Sequence, residues 1–91
     1  LSKIMGINRN ISHLKLNNVG INDLHPDFFG PYQNLKHLEL ANNNFDIIPT
    51  VPYSVEYLDL SANNLSFVSA KYLNYHSLKV SITNYTAYLI F

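Results

Sequence analysis

The sequence predicts a solenoid of short repeating units in the α/β repeat class, with a short parallel β-sheet on its concave side and a mostly irregular or 3₁₀ convex side. Three observations lead there. Apolar residues recur at one period, each recurrence contains a strand-like alternation, and an asparagine follows two of the alternations at a fixed distance.

The period is visible in Leu14, Leu38, Leu58 and Leu78, which are 24, 20 and 20 residues apart, and in Leu16, Leu40, Leu60 and Val80 at the same intervals. Ile11, Leu35, Val55 and Tyr75 form a column upstream. Ile21, Phe45, Leu65 and Tyr85, then Leu24, Ile48, Val68 and Tyr88, form two more downstream. Within a unit the pattern is apolar-x-x-Leu-x-Leu, whose alternating part describes a strand with one face inward and one outward. So short a strand needs a neighbour. Stacked units supply it, each strand lying beside its equivalent in the next turn over a continuous core. The expected divisions are a partial unit 1–10, then 11–34, 35–54, 55–74 and a degenerate unit 75–91. Together they make one domain, expected to be a piece of a longer solenoid.

The segments LKHLELANNNF and VEYLDLSANNL resemble the leucine-rich-repeat motif L-x-x-L-x-L-x-x-N-x-L, with Asn43 and Asn63 at its asparagine position. The resemblance implies that these side chains sit inside the turn and bind backbone groups that the curving strand leaves unpaired, a need common to all buried backbone. It further implies that unit 11–34 is similar to animal extracellular repeats, with Phe29 packing into the convex side. The segment IIPTVPYSVEYLDL is similar to a shorter form with paired prolines. Pro49 and Pro52 favour an extended return over a helix. Val19 and Thr83 stand where asparagine is expected, so those turns must be satisfied differently. The last unit departs furthest from the motif and is suited to act as a cap.

Composition narrows the function. Six basic and six acidic residues give a formal net charge of zero, which argues against nucleic acid or an anionic membrane surface as the partner. With no cysteine, disulfides and thiolate metal sites are excluded. The longest apolar run, Ala87 to Phe91, is far below the ~18 residues of a membrane span, and Leu1 to Gly6 lacks the pattern of a signal peptide. No strained Gly-flanked nucleophile turn or phosphate loop occurs, so no catalytic residue and no cofactor is expected. His13 and His37 fall in one outward column, but no fixed third ligand accompanies them. No metal is expected.

The outward strand positions are the candidate site. Between the motif leucines stand Lys15, Glu39, Asp59 and Lys79; two places earlier stand His13, His37, Tyr57 and Ser77; a third column is Ser12, Lys36, Glu56 and His76. Opposite charges should neutralise each other in the pairs Lys15 with Glu39, Lys36 with Glu56 and Asp59 with Lys79, each worth under ~1 kcal/mol. The partner-binding residues expected on the concave face are His13, Lys15, His37, Glu39, Tyr57 and Asp59, the rigid rings supplying most of the energy. Uncapped apolar edges at Leu1, Ile4 and Ile11 are expected to promote self-association.

Three N-x-S/T acceptors, at Asn10, Asn64 and Asn84, are candidates for glycosylation. Asn64 is the best placed, because the residue after the motif asparagine should point away from the core. The expected role is protein recognition within an extracellular leucine-rich-repeat receptor, similar to Toll-like receptors, or a secreted immune or adhesion protein binding a protein ligand or co-receptor. A structural spacer in a longer solenoid, and the repeat region of an intracellular or bacterial effector, are the alternatives.

Overall fold

The computed structural model describes residues 8–65 throughout, and beyond them the backbone of residues 67–68, 79–81 and 88–89. Strand β1 is His13–Lys15, β2 His37–Glu39, β3 Tyr57–Asp59, β4 Phe67–Val68, β5 Lys79–Ser81 and β6 Tyr88–Leu89. Strands β1, β2, β3 and β5 form one parallel sheet in that order, and β4 pairs in parallel with β6 in a second. Parallel order follows from the repeat, because each turn must travel around the core before its strand can lie beside the preceding one.

The register of the first three strands is that of the columns: His13 opposite His37 opposite Tyr57, Leu14 opposite Leu38 opposite Leu58, and Lys15 opposite Glu39 opposite Asp59. At the fourth strand the expected column is wrong by two residues. Leu58 faces Val80 and not Leu78, Tyr57 faces Lys79, and Asp59 faces Ser81. A two-residue slip keeps every residue on its own face, so the Leu-x-Val alternation fits both registers equally well. The Asp59 and Lys79 column is therefore corrected. The β4 and β6 register differs as well, since Val68 stands opposite Leu89 and Phe67 opposite Tyr88, where Val68 and Tyr88 had been expected to match.

Behind the sheet, Leu35, Leu38, Leu40, Leu58, Leu60, Leu65 and Val55 are essentially sealed from solvent, joined by Ile21, Leu24, Phe45 and Ile48. Full burial of one such side chain is worth ~1.5 to 3 kcal/mol, so the apolar columns are the main support of this part of the fold. Ile11 and Leu16, in the first unit, are only partly buried against that core. Phe29 is buried as the resemblance implied, and it brings Phe28 and Tyr32 with it. The rings of Phe28 and Phe29 meet edge to face at 4.8 Å. These three aromatics fill the return of the longer first unit; the shorter second return is closed by Val51 and Pro52.

The first return is a succession of single turns, with Phe28 N–H donating to His25, Gly30 to Asp27 and Tyr32 to Phe29. Neither α-helix nor 3₁₀ helix occurs among the described residues. The expectations for Leu1, Ile4, Leu78, Asn84, Tyr75, Tyr85, Ser77 and His76 lie outside the described residues.

Candidate functional site

Strands β1, β2 and β3 are each three residues long, and in each the middle leucine is buried while the flanking residues point outward. That alternation delivers His13, His37 and Tyr57 to one line across the sheet. The imidazoles of His13 and His37 stack with centroids 5.2 Å apart and planes at 20°, and His37 stacks on the Tyr57 ring at 4.5 Å and 14°. Three residues distant in sequence thus form one ridge of parallel rings. Interstrand spacing of ~4.8 Å is what allows it, being close to the separation at which rings stack.

The second line, Lys15, Glu39 and Asp59, runs beside the ridge. Glu39 is its hub. Oε1 accepts from Asn17 Nδ2 at 2.9 Å, Oε2 accepts from His37 Nε2 at 2.7 Å, and Lys15 Nζ lies 3.7 Å from Oε2. The carboxylate has no proton to give, so Nε2 of His37 carries the hydrogen of that bond. Hydrogen bonds from Asn17 first and His37 second hold the Glu39 carboxyl below the usual glutamate range, with the Lys15 charge adding to them. Asn17 also accepts the Ala41 N–H through Oδ1 at 2.8 Å, which ties the end of β1 to the end of β2. The Asn17 link was not foreseen; its only signal was an amide two residues beyond Lys15, the register partner of Glu39.

Asp59 is half-buried, and its Oδ1 accepts from both the backbone N–H and the hydroxyl of Ser61. Lys36 and Glu56 pair at 3.4 Å as expected. All six expected partner-binding residues therefore lie in the two outward columns of β1, β2 and β3, and the Lys15–Glu39 and Lys36–Glu56 pairs both form. Among the described residues no group of three or more His, Cys, Asp or Glu side chains could hold a metal ion, and no helix is long and apolar enough to cross a membrane.

Beneath the exits of β2 and β3 is a second repeated feature. Asn43 is 6% exposed and Asn63 8%. Asn43 Oδ1 accepts from the N–H groups of Val19 and Ile21, and Nδ2 donates to the carbonyls of Leu16, Leu40 and Ala41 at 2.9 to 3.2 Å. Asn63 Oδ1 accepts from Phe45 N–H, and Nδ2 donates to the carbonyls of Leu40, Leu60 and Ser61. Each asparagine thus binds its own turn to the one before. Val19, which takes their place in the first unit, is 58% exposed and reaches the ladder only through its backbone.

The residue just before this column is left-handed in all three turns, with φ of 57° at Asn18, 55° at Asn42 and 54° at Ala62. Asparagine adopts this region more readily than alanine, for which it is costly. The matching Asn18 and Asn42 were the available signal, and Ala62 concealed it.

A family model described as Leucine Rich Repeat matches residues 34–53 and 54–75. Residues 34–75 are leucine-rich repeats. No curated protein and no solved structure matches the chain. Repeats of this family are in general protein-interaction modules and not enzymes. The two matched leucine-rich repeats contain β2 and β3, hence His37, Glu39, Tyr57 and Asp59, and both ladder asparagines. Unit 11–34 continues them in strict register through β1.

Proposed function

We propose that the chain is a protein-recognition segment of an extracellular leucine-rich-repeat receptor or secreted immune or adhesion protein, and that it holds a protein partner on the outward face of its sheet. The observation that carries this reading is the ridge of His13, His37 and Tyr57, stacked at 5.2 and 4.5 Å. Rings already locked against one another lose little side-chain entropy on binding, which is the usual condition of an interface anchor. Lys15, Glu39 and Asp59 beside them provide charges of both signs to orient a partner.

The packing favours curvature with this face inward. Strands approach to ~4.8 Å, whereas the first return accommodates Phe28, Phe29 and Tyr32 and so needs more width. A sheet narrower than its returns bends toward its own face. The sequons support an extracellular setting, as does the similarity of unit 11–34 to animal extracellular repeats.

The test is a screen of secreted and cell-surface proteins against the immobilised chain, run in parallel with His13→Ala/His37→Ala/Tyr57→Ala and with the return-side set Asp27→Ala/Gln33→Ala. A partner retained by the second variant and lost by the first is the expected result. A partner lost by the return-side set, with both variants folded by circular dichroism, would overturn the sheet-face reading and favour a spacer whose contacts lie elsewhere.

A further inference from the structure

We propose that Asn64 is an N-glycosylation site, on the flank where the chain leaves the sheet. This rests on the extracellular reading. Transfer takes place on a chain that is folding, so an occupied acceptor must be one that the fold can leave outside. The two neighbouring asparagines differ sharply in this respect. Asn63 is 8% exposed, and its amide nitrogen donates to three carbonyls. Asn64 is exposed, and only its backbone is committed, its N–H donating to Phe45 O at 2.9 Å. That bond orients the Asn64 side chain outward while Leu65, the middle residue of the sequon, is fully buried. Asn64, Leu65 and Ser66 complete the acceptor triplet in sequence.

In the reaction, Nδ2 of Asn64 forms a bond to the anomeric carbon of a polyprenyl-diphosphate-linked oligosaccharide. The anomeric C–O bond breaks, the diphosphate leaves with the electron pair, and the Nδ2 proton passes to the transferase. Asn10 is exposed too, but its Oδ1 accepts from Asn34 Nδ2 at 3.4 Å, so a glycan there would compete with a contact between turns.

The repeat provides an internal control. Asn44 occupies the same place one turn earlier, exposed, with its N–H donating to Ile21 O at 2.8 Å. It lacks only the third residue, because Asp46 stands where Ser66 stands. Asp46→Ser completes a triplet at an equivalent site.

The experiment secretes the full chain from a eukaryotic host behind an added signal peptide and compares intact masses before and after N-glycosidase F. Occupancy at 64, confirmed by peptide mapping, is expected. Asn64→Gln should lose one glycan, Ser66→Ala should lose the same one with Asn64 intact, and Asp46→Ser should gain one. An unmodified Asn64 in secreted, folded protein, or no gain from Asp46→Ser, overturns the inference. Because secretion is imposed, such a failure leaves the extracellular reading standing; that reading fails separately if the natural product is found in the cytosol.

Discussion

The asparagine column inside the turns and the ring ridge on the sheet repeat at the same intervals and sit only a few residues apart, but they meet different demands. Asn43 and Asn63 each satisfy backbone groups on two successive turns, and few side chains other than an amide can donate and accept there at once. His13, His37 and Tyr57 satisfy no backbone group. Their place requires only a residue that fits at ~4.8 Å spacing beside its equivalents. A column that the fold needs should be costly to change for stability, and a column that it does not need should be costly only for binding.

The sharpest way to break that contrast is Asn43→Ala. It strands two N–H donors and up to three carbonyls, and at ~1 to 3 kcal/mol for each group that water cannot reach, a loss of about 3 kcal/mol is expected. Asn63→Ala should cost about 2 kcal/mol, and Asn64→Ala under about 0.5 kcal/mol. Urea titration ranks the three. Equal losses at 63 and 64 would mean that the ladder contributes nothing the exposed amide does not.

The ridge should answer in the opposite sense. His13→Ala/His37→Ala/Tyr57→Ala should shift stability by less than about 1.5 kcal/mol, since the rings stack on one another and not in the core. The same variant should weaken a sheet-face partner on the order of 100-fold, the scale of a lost hot spot. A large stability loss with little change in binding would exchange the roles assigned to the two regions.

The difference also governs what could be seen before the structure. The ladder was legible because its chemistry is dictated: an asparagine three residues after Leu40 and again after Leu60 has one job. The ridge was legible as a column but not as a stack, for alternation places His13, His37 and Tyr57 in line without setting their ring planes. The register of β5 was hidden because Leu78 and Val80 are two apart and both apolar, so the pattern matches either choice. The hub at Glu39 was only half visible, its charge pair with Lys15 following from the columns and its bonds to Asn17 and His37 depending on side-chain rotamers.

Ala62 tests the ladder's neighbouring column. With φ at 54° it holds a conformation that costs an L-residue roughly 1 to 2 kcal/mol, partly offset in a Gly variant by greater freedom of the unfolded chain. Ala62→Gly should therefore stabilise by about 0.5 to 1 kcal/mol, and Asn42→Ala, one turn earlier, should destabilise by a similar amount. Thermal melts decide it. A destabilised Ala62→Gly would show that this turn is not held left-handed in solution.

The smallest expected effect probes the boundary between the two regions, where Glu39 joins the outward face to Asn17 at the strand ends. Its carboxyl is held below the usual glutamate range by Asn17, then His37, with Lys15 adding to them. A carboxyl whose folded pKa is depressed binds its proton more readily in the unfolded chain, so it favours folding above the ordinary value of ~4.3 and that contribution disappears as pH falls through the lower folded value. His37 does not reverse the sign, for an imidazolium donates to the carboxylate as well as a neutral Nε2–H does. Glu39 is partly solvent-screened and its Lys15 partner is largely exposed, which keeps the effect small. The measurement is the difference in urea midpoint between the wild-type chain and Glu39→Gln from pH 6 down to pH 3, a difference that removes the shared titration of the other carboxylates. It should be widest near pH 6 and shrink steadily below pH 4.5. A difference independent of pH would mean that Glu39 holds the strand ends through the shape of its hydrogen bonds and not through its charge, leaving the outward face electrostatically uncoupled from the turns beneath it.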